Sequence, residues 1–249
     1  MADFENVQPD EYKMLGRNFT PGRPWGITSV TIHHMAGDLD ADACNRVWRN
    51  SGTSAHYSID RNGKIVQHVN DTDRAWACGD GVGVNSGGND RSISIEHANC
   101  KNGPWLVHDA AIESGAHLVA ALCRYYKLGR PQWGKNVFPH RHWKSTACPG
   151  ELAGSQNARY MRRAQEWYDA MCGGKPAPKP QPSTAHRVKV TAPVLNIRRG
   201  PGTDSPIVGK ITDRGVYTVT SEAPGPGSSK WGKLKSGAGW IALDLTERV

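Results

Sequence analysis

No apolar run in this 249-residue chain approaches the roughly 20 residues that a membrane-spanning helix needs. Hydrophobic residues are 37% of the total and mean hydropathy is −0.59, the balance of a soluble globular protein. The N-terminal run Met1-Ala-Asp-Phe-Glu-Asn6 is acidic and lacks the apolar stretch of a secretory signal. The expectation is synthesis in the cytoplasm, with any export by another route. Cys-x-x-Cys is absent, and the six cysteines (Cys44, Cys78, Cys100, Cys123, Cys148 and Cys172) are irregularly spaced. A disulfide framework is therefore not expected, and most thiols should be reduced and buried. One pairing, Cys78 with Cys100, stays open. The chain also lacks a nucleic-acid motif, an aromatic–basic repeat and an internal repeat.

What the chain does have is basic charge, unevenly placed. The net charge is +8. Residues 187–249 hold ten Lys/Arg against five Asp/Glu, or +5, whereas residues 1–172 carry only +1. Such a patch suits polyanions. With no nucleic-acid signature, a polyanion of another kind is the better partner, although plain solubility would account for the same charge.

The stretch Gly173 to Ala185 contains four prolines and no large apolar residue. It reads as an extended linker, giving domains at 1–172 and 186–249. In the first, strand-like runs at Ser29–His33, His56–Ile59, Lys64–His68 and Ser92–His97 alternate with helical patterns, and Asn62-Gly63 marks a hairpin. A helix capped by Asp109 would bury Ile112, Ala116, Val119 and Cys123 and end by Gly129. Others are expected at Asp42–Arg49 and from about Gln156 to Met171. This predicts an α/β domain. The second part shows short strand signals broken by Gly, Pro, Asp and Ser, which predicts a small all-β barrel.

The most chemical segment is His140-Arg-His-Trp-Lys-Ser-Thr-Ala-Cys148, paired with His33-His34 far upstream. Imidazole and thiolate are ligands that zinc prefers. Two histidines and one cysteine fill three tetrahedral positions and leave the fourth open, the pattern of a catalytic site. Hydrolysis by a metal-activated water also needs a group to move protons. Glu96, at the end of the alternating run Ser92-Ile-Ser-Ile-Glu96, is the best candidate; an exposed strand-end glutamate is the alternative.

Four ordered blocks carry a family resemblance: Ile32-His33-His34-Met-Ala-Gly37, Ser54-Ala-His56-Tyr-Ser-Ile-Asp-Arg-Asn-Gly63, Asn89-Asp-Arg-Ser-Ile-Ser-Ile-Glu96, and His140 through Thr146-Ala-Cys148-Pro-Gly150. Over roughly residues 25–170 the chain resembles the zinc N-acetylmuramoyl-L-alanine amidases, whose fold is shared with peptidoglycan-recognition proteins and phage endolysins. The resemblance implies one mixed β-sheet flanked by helices, and Zn²⁺ held by His33, His140 and Cys148. Some members place the catalytic acid at the Glu96 position. Others use a tyrosine where this chain has Ala55, which adds weight to Glu96. Thr146 matches a Lys-or-Thr position and could bind the developing oxyanion, or simply close its own turn. His56, Trp76, Asn85 and Asn89 are candidate substrate-binding residues, His56 with a structural role as the alternative. His142 departs from the acidic residue more usual at its position.

The motifs Leu195-Asn-Ile-Arg-Arg-Gly-Pro-Gly202 and Trp231 through Trp240-Ile241 resemble the bacterial SH3-like wall-binding domain. Tyr217, Trp231 and Trp240 are its candidate wall contacts. Together the two resemblances imply a monomeric peptidoglycan hydrolase, an endolysin reaching the wall through a holin-opened membrane, with no nucleic-acid or membrane partner. Two rival functions remain at this point: a non-catalytic peptidoglycan-binding protein, and a cysteine peptidase using Cys148 as nucleophile.

Overall fold

A computed structural model describes residues 8–79, 87–100, 104–173 and 186–249. The chain divides into two compact units, residues 1–177 and 178–249. Apart from Gly173, the expected linker lies outside the described residues.

The first unit runs β1 (Glu11–Tyr12), β2 (Phe19–Thr20), β3 (Ser29–His34), α1 (Ala41–Ser51), β4 (Tyr57–Ile59), β5 (Ile65–Gln67), β6 (Arg74–Ala75), α2 (Gly87–Arg91), β7 (Ser92–His97), α3 (Asp109–Tyr125), β8 (Val137–Pro139) and α4 (Asn157–Met171). Six strands form one sheet in the order β1-β5-β4-β7-β3-β8, and β2 pairs with β6. Pairing within the sheet is parallel except between β4 and β5, so the sheet is mixed.

The β4–β5 turn is the one that Asn62-Gly63 predicts. Asp60 Oδ1 accepts from the N–H groups of Asn62 and Lys64, and Gly63 takes φ +86°. A side chain at Gly63 would also run into Ser114 and Ala110 of α3, so the tip needs glycine twice over.

β3 and β7 are buried along nearly their whole length. Alternation sends Val30, Ile32, Ile93 and Ile95 into a core with Ile112, Leu118 and Leu122 of α3 and Tyr160 and Ala164 of α4. Gly115 lets α3 approach: a Cβ there would lie 2.3 Å from His97 Nε2 and 2.8 Å from the Tyr160 hydroxyl. Those two side chains bond each other at 3.0 Å. Between the helices, Arg163 pairs with Glu113.

Helix boundaries differ from expectation at their caps. Asp109 is the first helical residue, not the cap, and its carboxylate accepts from Arg159. Asp40 caps α1 by accepting from Ala43 N–H at 2.8 Å, which carries that helix from Ala41 to Ser51. Cys78 and Cys100 do not pair as a disulfide; the first is buried and the second exposed. Among the described residues no helix is long and apolar enough to cross a membrane.

The second unit is all-β. Strands β9 (His186–Val190), β10 (Leu195–Arg198), β11 (Ile207–Ile211), β12 (Val216–Gly225), β13 (Ser228–Leu234), β14 (Trp240–Ala242) and β15 (Thr246–Arg248) pair antiparallel in the order β11-β10-β14-β13-β12-β9-β15. They enclose a separate core that includes Val188, Leu195, Val219, Trp231 and Ile241.

Candidate metal centre

Sheet register builds the site. His33 on β3 is the Cα partner of Glu96 on β7, and Glu96 is in turn the partner of Ser58 on β4. Partners in register share a face, so the three side chains form a row across the sheet. His97, the next residue on β7, points the other way, into α3 and α4. The row therefore lies on the face opposite those helices.

The other two candidates come from the segment after β8. His140 opens a short 3-10 turn, His140–His142. The loop closes when Arg141 N–H donates to the Cys148 carbonyl at 3.1 Å. Cys148 Sγ then accepts from His34 N–H at 3.3 Å, which seats the thiol against the end of β3. The result gathers one ligand atom each from His33, His140 and Cys148, all within 4.8 Å of one another. The two imidazole centroids are 4.5 Å apart. His33 and Cys148 are buried and His140 is half-buried, so the cluster is closed below and accessible on one side.

The electrostatics suit a cation. Burial, then the charge of neighbouring His140, holds His33 far below the usual histidine range, keeping it the neutral imidazole that a metal requires. Burial, reinforced by Glu96, pushes the Cys148 thiol well up. Burial alone raises Glu96 to about 8. Although Glu96 is partly accessible, its Oε2 is buried and has no hydrogen-bond partner. Each acid here resists ionising for want of positive charge. A divalent cation supplies it, so the donor set and the orphaned carboxyl oxygen both fit zinc. His140 is already oriented: its Nε2–H donates to the Cys78 carbonyl at 3.1 Å.

The family model described as N-acetylmuramoyl-L-alanine amidase (Amidase_2) matches residues 21–151, just over half of the chain. The chain belongs to this amidase family. The amidase CwlA of Bacillus subtilis (strain 168) is 30% identical over 157 residues, 61% of this chain and 54% of CwlA. CwlL of Bacillus licheniformis is 25% identical over 187 residues, 68% of this chain and 48% of CwlL. The chain thus spans about half the length of the curated relatives it matches. Among solved structures, PlyL aligns with a TM-score of 0.52 at 24% identity, over 65% of this chain and 99% of PlyL. That likeness carries the fold alone.

Within this amidase domain the remaining sequence candidates take varied positions. Thr146 Oγ1 accepts from Cys148 N–H at 3.2 Å, the turn-closing arrangement. His56 does not line a cleft: it is fully buried, its Nδ1 accepts from Ser94 N–H at 2.9 Å, and its Nε2 faces Arg23. Desolvation there is offset by those contacts, which makes it a structural residue. Asn89 is also buried, 5% exposed, and its Oδ1 accepts from the N–H groups of both Ala77 and Cys78. It holds backbone and does not face substrate. Trp76 stays exposed, with its indole N–H on Thr20 Oγ1 at 3.0 Å. Asn85 lies outside the described residues. His142 is exposed and stacks on Phe138. In the all-β unit Trp231 is 2% exposed and belongs to the core, so it cannot be a wall contact, whereas Tyr217 and Trp240 are partly exposed.

Cys78 is a site residue that the sequence does not single out. It is buried, lies beside both histidines, and follows no recognisable ligand spacing, so only the fold reveals its place.

Proposed function

We propose that this protein is a zinc-dependent peptidoglycan hydrolase that cuts the amide bond between N-acetylmuramic acid and L-alanine. The observation that carries the reading is the convergence of His33, His140 and Cys148 beside the unpartnered buried oxygen of Glu96. Bound there, zinc would polarise the scissile carbonyl and activate water for attack. Glu96, one strand from His33, takes the proton of the attacking water and returns it to the leaving amine. Thr146 Oγ1 accepts in the Cys148 turn, so its O–H can donate to the developing oxyanion while that bond is kept.

The all-β unit is, on this reading, an SH3-like wall-binding domain. Its excess of basic residues and its partly exposed Tyr217 and Trp240 support a role in holding anionic wall. The protein then acts as a monomeric, bacteriolytic endolysin at the cell wall after release from the cytoplasm. The cysteine-peptidase alternative fits less well, because a thiol nucleophile needs a lowered pKa and burial raises that of Cys148.

Mass spectrometry of wall fragments tests the reaction. Digestion should release free L-alanine amino termini and intact glycan, stop with a chelator and resume with Zn²⁺. Cleavage within the stem peptide, or activity that ignores chelator and yields to alkylation, would transfer the assignment to the peptidase.

A further inference from the structure

Cys78 touches both histidines of the cluster. Its carbonyl accepts from His140 Nε2–H at 3.1 Å, and its Sγ lies 4.0 Å from His33 Nε2 and 3.8 Å from Ser94 Oγ. The residue is fully buried, and its backbone is fixed by the Asn89 side chain, which accepts from Ala77 N–H at 2.9 Å and from Cys78 N–H at 2.7 Å. Asn89 is itself buried, between the Arg23 and Arg74 contacts that hold its neighbours: Arg23 donates to the carbonyls of Asn89 and Asp90, and Arg74 pairs with Asp90.

We infer that Cys78, clamped by Asn89, is the positioning residue for both histidine ligands. The inference rests on the zinc reading above. A histidine ligand needs its second ring nitrogen occupied, since that bond selects the tautomer and the ring orientation. Usually each histidine has its own support. Here one residue serves two, with its carbonyl facing one Nε2 and its sulfur facing the other. The carbonyl contact requires the Nε2–H tautomer of His140, whereas the thiol can accept from His33 Nε2 or donate to it. Sulfur is a weak acceptor, so the His33 contact is the softer of the two.

The test uses the full chain. Long-range ¹H–¹⁵N correlation spectra of the zinc-loaded protein, with ¹⁵N-labelled histidine, should give the Nε2–H pattern for His140. X-ray absorption should count one sulfur on the metal. Zinc affinity, measured by competition with a chromogenic chelator, should fall about 10- to 100-fold in Asn89→Leu, which releases both contacts, and by less in Cys78→Ala, which removes only the sulfur. Asn89→Asp keeps the accepting oxygen and should bind nearly as wild type does. An Nε2-bound His140, two sulfurs on the metal (which would make Cys78 a ligand), or wild-type affinity in either Asn89→Leu or Cys78→Ala would each overturn the inference. Wild-type protein that takes up no zinc would instead remove the metal reading beneath it.

Discussion

Glu96 and His33 face each other as register partners on neighbouring parallel strands. One strand contributes a nitrogen donor and the next a carboxyl whose Oε2 has no partner of its own. The separation of ligand and acid is thereby set by backbone pairing, about 4.8 Å between strands, and not by loop geometry.

Replacing Glu96 by Gln should leave the fold and zinc content intact and lower the rate of wall hydrolysis by roughly 10²-fold or more, the size of a general-base contribution. Elemental analysis and a turbidity assay on the same sample give both readouts. Near-normal activity with zinc present would remove Glu96 from the chemistry.

Cys148→Ser should lose most of its metal together with most of its activity. Its sulfur also accepts the His34 N–H, a role a serine oxygen can keep, so the metal-free variant should unfold close to metal-free wild type. Full zinc occupancy in Cys148→Ser would count against the ligand assignment.

His68, whose Nε2 bonds Ser58 Oγ at 2.8 Å, supplies a pH test. It is buried, and burial outweighs the help of the Lys13 carbonyl to hold it down to about 4, against about 6.5 in an unfolded chain. The unfolded state therefore binds the proton first, and stability falls as pH drops from about 7 towards 4. Between pH 7 and pH 5 this one residue accounts for about 2 kcal/mol. Urea titrations of His68→Gln should show a shallower decline than wild type; parallel curves would refute the assignment.

Gly115→Ala probes helix packing. The new methyl would fall on the His97–Tyr160 bond, so α3 must lift or the bond must break. A loss of about 1–3 kcal/mol, typical of overpacking, is expected in thermal unfolding. An unchanged melting temperature would mean the two helices have slack.

The all-β unit should bind purified walls by itself, because it has its own core. Attraction between exposed charges fades as the Debye length shrinks from ~10 Å at 0.1 M salt to ~3 Å at 1 M. Sedimentation with walls should fall accordingly with salt, and Trp240→Ala should weaken it more than Trp231→Phe does. A unit that stays in the supernatant at low salt has no anchoring role.

The metal cluster is legible in the sequence because imidazole and thiolate are ligands zinc prefers, and the fold brings those of His33, His140 and Cys148 within 4.8 Å of one another. The alternation of Ser92 to Glu96 likewise puts the acid at a strand end. Asn89, His56 and Trp231 read differently from sequence because polar and aromatic side chains look alike whether they face water or fill the interior. Only tertiary contacts separate those cases. Cys78 carries no spacing signal, since its carbonyl, which any residue could offer, makes the shorter of its two contacts to the ligand histidines. Strands β1 and β8 escape a sequence reading because two- and three-residue strands leave no periodicity to detect.

Strand β1 sets the physical limit of the catalytic unit further upstream than the family match does. The match begins at residue 21, yet Asp10, Lys13 and Leu15 donate their N–H groups to the carbonyls of Ile65, Gln67 and His68 along β5. Asp10 also accepts from Ile65 N–H. A chain trimmed to residue 21 would uncover β5 as a raw sheet edge, with Ile65 and Val66 exposed beside unpaired carbonyls. Such an edge invites pairing with another molecule. Residues 10–15 are thus the guard that keeps a catalytic fragment from sticking to its own copies.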